Sequence, residues 1–124
     1  KNGAQMFLET ATPDLYADQS KHADTIKQHI QTGVASDALH LQYYYRAIML
    51  RPDRSAVLQK TNIPVLFVCG LHDKVVPLQQ SLKQSYLANE THVHLLKLSA
   101  HMGMIEETNE LIKAIQLFIQ HSAI

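Results

Sequence analysis

The sequence predicts an α/β protein in which a helical first half leads into a parallel βαβα unit. Three observations carry this. The texture changes near residue 62, from apolar residues at helical spacing to alternating strand and helix patterns. Val65-Leu66-Phe67-Val68-Cys69 is an unbroken apolar run between Pro64 and Gly70; such runs belong to strands covered on both faces, as in parallel sheets. Two strand-like runs separated by a helical stretch then require a right-handed crossover between parallel strands.

The elements follow in order. Ala4 to Glu9 reads as a short helix. Ala23, Ile26 and Ile30 fall at i, i+3 and i+7 on one helical face, and Gly33 is expected to stop that helix. Ser36 and Asp37 are N-cap residue types for the next one, which places Leu41, Tyr45 and Ile48 along one side. Arg51-Pro52 closes it, because a residue before proline is pushed out of the α region. A short helix is expected over Arg54 to Gln59. Pro64 stands at the start of the first strand, where a missing N–H is tolerated. The following helix presents Leu78, Leu82 and Tyr86 inward. His92 to Leu98 forms the second strand, and a last helix carries Leu111, Ile115, Phe118 and Ile119. Glu106, Glu107 and Glu110 crowd the start of that helix, where the macrodipole favours negative charge.

Composition bounds the function. With 124 residues and 46% hydrophobic content, the chain holds one domain's worth of core. Eleven basic residues balance eleven acidic ones, so no charge field points to nucleic acid or an anionic membrane. No stretch approaches the roughly 18 apolar residues of a spanning helix. One cysteine excludes an intrachain disulfide framework and a thiolate zinc site. A neutral, soluble, cytoplasmic protein is expected. The chain begins at Lys1 rather than Met, without a signal-peptide pattern, and its motifs imply that it is cut from something longer.

In open α/β sheets, functional groups collect past the carboxyl ends of strands. Two loops take that position: Gly70-Leu71-His72-Asp73-Lys74-Val75-Val76-Pro77, and Ser99-Ala100-His101-Met102-Gly103. Neighbouring parallel strands bring Asp73 beside His101, the arrangement in which a carboxylate orients an imidazole and stabilises its charged form.

These segments resemble the α/β-hydrolase family. Ile63-Pro64-Val65-Leu66-Phe67-Val68-Cys69-Gly70-x-x-Asp73-x-x-Val76-Pro77 looks like the family's strand and acid turn. Leu95-x-x-x-x-Ala100-His101-x-x-x-x-Glu106 looks like its last strand, histidine loop and helix start. Met49-x-Arg51-x-Asp53 is similar to the stretch leading out of a helical cap. The resemblance implies the C-terminal part of an α/β-hydrolase fold, with residues 1–61 as helical cap and residues 62–124 as the last strand–helix pairs of the core. It also implies that Asp73 is the triad acid and His101 the general base. Ala100 stands where the family usually has glycine, and Thr108 where it often has proline; both departures are mild.

A larger departure is the nucleophile. This fold orders nucleophile, acid and histidine along the chain, with the nucleophile in a Gly-x-Ser-x-Gly elbow. Gly3, Gly33, Gly70 and Gly103 include no pair four apart. The elbow, the oxyanion hole and the first strands are therefore expected before Lys1. The expected function is a serine-type carboxylic-ester or lactone hydrolase, with the cap helices and the Tyr43-Tyr44-Tyr45 cluster roofing an apolar chamber. Neither metal nor organic cofactor is required, and the chain by itself is expected to be inactive and to self-associate. Two alternatives stay open: the same fold with an aspartate nucleophile, as in haloalkane dehalogenases and epoxide hydrolases, or a non-catalytic α/β interaction module.

Simpler roles compete for each residue. Asp73 suits a turn, and a lone histidine in a loop is most often only that. His72 reads as solvent-facing, and His92 and His94, spaced i and i+2, as same-face strand residues lacking a third metal ligand. The tyrosines suit helix packing, Cys69 a buried small hydrophobe, and Met102 and Met104 loop packing.

Overall fold

The computed structural model describes residues 3–122. Contacts divide the chain into two compact units, one of residues 3–14 and 18–53, the other of residues 15–17 and 54–122.

The first unit is helical: α1 (Gly3–Ala11), α2 (Ala23–Ala35) and α3 (Ala38–Met49). Ile26 is buried on α2 as its spacing predicts. Gly33 does not stop α2, which continues to Ala35. The physical reason is packing: a Cβ at position 33 would stand 2.7 Å from Leu8 Cδ1 of α1, so this glycine serves a close helix–helix approach. Asp37 is the N-cap of α3, its Oδ1 accepting from Leu39 N at 2.9 Å, a bond worth about 1 kcal/mol. Ser36 instead donates its hydroxyl back to Thr32 O. All three residues of the tyrosine triplet are exposed, and Tyr45 meets Phe7 edge to face at 5.1 Å.

The second unit contains α4 (Ser55–Lys60), β1 (Val65–Gly70), α5 (Leu78–Ser85), β2 (Thr91–Leu96), α6 (Gly103–Glu106) and α7 (Thr108–His121). β1 and β2 pair in parallel, with Val65 opposite Thr91 and Gly70 opposite Leu96. Parallel partners share a face, so Leu66 with His92 and Val68 with His94 lie on one side, Phe67 with Val93 and Cys69 with Leu95 on the other. The His92 ring meets Phe118 of α7 at 5.2 Å, while Thr91 Oγ1 donates to Ser85 O of α5 at 2.8 Å.

Four expectations need correction. β1 is not buried on both faces: only Cys69 is buried and its other residues are half-buried, because among the described residues β2 is its one strand neighbour. Tyr86 is 85% exposed. α5 ends at Ser85, so its inner face is Leu78, Leu82 and the buried Ser85, and Tyr86 falls past the last turn. On α7 the inward stripe is Leu111, Ala114 and Phe118, leaving Ile115 and Ile119 exposed. β2 also ends earlier than its apolar run, at Leu96, since the Leu98 N–H turns away from the ladder to a side chain.

Candidate active site

Strand tips bring the two loops together. Gly70 ends β1, and a Cβ there would overlap the carbonyl oxygen of Ala100; only glycine permits this approach. Two backbone bonds stitch the contact, Leu71 N to Leu96 O at 2.9 Å and His72 N to Ser99 O at 3.0 Å. Gly103 plays the same part against Leu96, whose Cδ1 a Cβ would strike. Leu96 at the end of β2 and Ser99 and Ala100 at the start of the histidine loop are buried.

Asp73 divides its carboxylate. Oδ1 accepts from Val75 N at 2.8 Å and Val76 N at 2.9 Å, closing the turn that leads to α5. Oδ2 lies 2.8 Å from His101 Nδ1. Turn residue and imidazole partner are thus two ends of one side chain, and the first fixes the direction of the second. An ionised carboxylate only accepts, so Nδ1 carries the hydrogen and Nε2 is left as the basic nitrogen. The Asp73 side chain is 11% exposed and that of His101 39%: the acid is shielded from water while the imidazole stays reachable. A cavity of about 280 Å³ runs past them, lined by Val76, Ser81, Met104 and Leu111 among others.

The histidine loop is held by groups that sequence reasoning placed elsewhere. Glu107 and Glu106 accept hydrogen bonds from the backbone N–H groups of Leu98 and Ala100 respectively, contacts that neither a dipole effect at the helix start nor the histidine-loop pattern ending at Glu106 specifies. The segment Leu15–Ala17 packs in this unit, Leu15 O accepting from His101 N at 2.9 Å. Glu106 and Ala17 are 89 residues apart, and no periodicity relates them. Two adjacent acids beside a histidine loop were the only signal available.

The remaining candidates take no part in the Asp73–His101 bond. His92 lies 3.3 Å from Glu90 Oε1, and among the described residues no group of three or more His, Cys, Asp or Glu is placed to hold a metal. Cys69 is a buried free thiol. Met102 is half-buried and Met104 exposed at the cavity. No helix among the described residues is long and apolar enough to cross a membrane.

Compared with solved structures, the chain superposes on an esterase from Exiguobacterium antarcticum with a TM-score of 0.78 at 14% identity, covering 95% of this chain and 43% of that one. A thermophilic esterase from Thermogutta terrifontis gives 0.77 at 19%, over 100% and 46%. A bromoperoxidase from Bacillus anthracis gives 0.79 at 20%, over 96% and 45%. The chain has the α/β-hydrolase fold. It spans less than half the length of these hydrolase-fold structures, and its helices followed by a parallel βαβα unit are consistent with the C-terminal part of that fold. No family model matches the sequence, and a search of curated proteins returns no match.

Proposed function

We propose that this chain supplies the acid, Asp73, and the general base, His101, of a serine-type α/β-hydrolase acting on a carboxylic ester or lactone. The observation that carries the reading is the 2.8 Å bond between Asp73 Oδ2 and His101 Nδ1 at the tips of paired parallel strands. In this reading, a preceding segment contributes the serine elbow, the oxyanion hole and the earlier strands, and residues 1–61 form the cap. His101 Nε2 takes the serine proton as the oxygen attacks the carbonyl, and Asp73 stabilises the imidazolium that forms. The same imidazolium then protonates the leaving alkoxide. Exposed Leu71, Val75, Val76 and Met104 around the two loops support a small apolar substrate. The chemistry needs neither metal nor organic cofactor. A cytoplasmic setting, with no nucleic-acid or membrane partner, belongs to the same proposal.

Hydrolysis of short-chain p-nitrophenyl esters tests it. The protein that includes the elbow turns them over, whereas these 124 residues alone do not. Burst kinetics from the 124-residue chain would overturn the assignment. An aspartate found at the elbow, with turnover of haloalkanes or epoxides instead, would move the reaction to the alternative class.

The chain alone is also proposed to self-associate. β1 has a strand on one side only among the described residues, and two-stranded sheets are marginal in water. An unpaired edge is a template for a second copy. Sedimentation at micromolar concentration is expected to show dimers or larger species; a stable monomer contradicts this.

A further inference from the structure

Glu106 and Glu107 stand side by side between α6 and the N-terminus of α7, where the macrodipole favours negative charge, yet their hydrogen bonds lead elsewhere: Glu107, the N-cap of α7, makes no side-chain cap bond. Both carboxylates fold back onto the histidine loop. Glu107 Oε2 accepts from Leu98 N at 2.9 Å and from the hydroxyl of Ser99 at 2.6 Å, and Ser99 is 0% exposed. Glu106 splits its oxygens between two stretches of chain: Oε2 accepts from Ala100 N at 2.8 Å and Oε1 from Ala17 N at 2.7 Å.

The second stretch reaches the same loop independently. Leu15 O accepts from His101 N at 2.9 Å and from Met102 N at 3.2 Å. Between these contacts Tyr16 is 3% exposed. Its burial, and then the Glu106 charge, raise the phenol pKa, so the ring stays neutral where it packs. The backbone N–H groups of residues 100 to 102 thus all have fixed acceptors, and two of the three donate to one oxygen, that of Leu15. Charge-assisted bonds such as those of Glu106 are the stronger kind. Withdrawing either partner leaves a half-buried carboxylate oxygen unsatisfied.

We propose that Glu106 is a positioning residue: by clipping the Leu15–Ala17 strap to Ala100, it fixes the backbone of His101 so that the ring meets Asp73. This deepens the hydrolase reading and rests on it, since the ring's setting matters to catalysis only if His101 is the base.

Chemistry distinguishes the variants. Glu106→Gln keeps one acceptor oxygen and turns the other position into a donor facing an N–H, so it holds the strap or the loop but not both. Glu106→Ala holds neither. The test is NMR of the 15N-labelled chain, following the His101 ring nitrogens and amide exchange at Ala17 and Ala100, with Val65, whose N–H pairs with Glu90 O, as the fold control. Wild type is expected to show one tautomer, hydrogen on Nδ1. Glu106→Gln, which has the better prospect of folding, is expected to show mixed tautomers and about tenfold faster exchange at Ala17 or Ala100, with Val65 unchanged. A single tautomer with unchanged exchange overturns the proposal. So does loss of protection at Val65 in step with the loop, which would make Glu106 a general stability residue.

In the protein carrying the nucleophile, Glu106→Gln is expected to lower kcat by about tenfold with little change in KM. If His101→Ala leaves that activity intact while Glu106→Gln still scrambles the tautomer, the hydrolase reading fails and the positioning stands. If His101→Ala abolishes activity and the tautomer in Glu106→Gln is undisturbed, the positioning alone fails.

Discussion

Replacing His101 by alanine in the protein that carries the nucleophile is expected to slow ester turnover by on the order of a millionfold, the scale on which a triad fails when its base is removed. KM should move little, because the lost interaction acts on the proton in flight rather than on bound substrate. Asp73→Asn is the sharper companion. Asparagine keeps an oxygen that can accept from Val75 N and Val76 N, the two bonds that close the acid turn. Its amide then presents N–H groups toward His101 Nδ1, which favours the tautomer with the hydrogen on Nε2. Turnover is expected to fall about ten-thousandfold with the turn intact, as in other triads whose acid becomes an amide. Asp73→Ala removes both functions, so a larger stability loss in Ala than in Asn would separate the turn from the triad. Steady-state kinetics with a p-nitrophenyl ester measures the rates, and urea unfolding the stabilities. An unchanged rate in His101→Ala removes that residue from the mechanism.

Gly70→Ala is expected to have the largest structural effect. The new methyl group would occupy the space of the Ala100 carbonyl oxygen, and backbone cannot swing aside as a flexible side chain can. The loops must separate, which strains the bonds from Leu71 N to Leu96 O and from His72 N to Ser99 O. A loss of about 3 kcal/mol or more in urea unfolding is expected, in the tail of the distribution for single substitutions. Whatever remains folded should lose the Asp73–His101 bond. Gly3→Ala is the control, because nothing lies within 4 Å of a Cβ there and alanine is the better helix former; it should be neutral or slightly stabilising. A Gly70→Ala chain within about 0.5 kcal/mol of wild type would show that the loops do not touch as described.

Legibility in the sequence varied by element in ways that have physical causes. The apolar run of β1 and the cap residue Asp37 declare themselves because strand burial and N-capping depend on residues adjacent in the chain. The acid and the histidine were legible as a pair because parallel strands force their following loops to one end of the sheet. Tyr86 was misread as a core residue because apolar spacing reveals a helical face and not where the helix stops. Gly33 was misread for a related reason: a glycine that ends a helix and one that admits a neighbouring helix look alike until Leu8 is seen beside it.

By itself, the sequence determined the α/β class, the parallel strand pair and the two loops that carry a carboxylate and an imidazole. Periodicity and strand direction are properties of neighbouring residues, and they need no knowledge of distant ones. Only the tertiary structure decided how the imidazole loop is held. Glu106 bonds to Ala17 and Ala100 at once, and Leu15 lends its carbonyl to His101 and Met102. The Leu15 bonds join two backbone groups and the Glu106 bonds end on backbone N–H groups, which every non-proline residue carries alike, so the side-chain pattern does not tell which of them will meet.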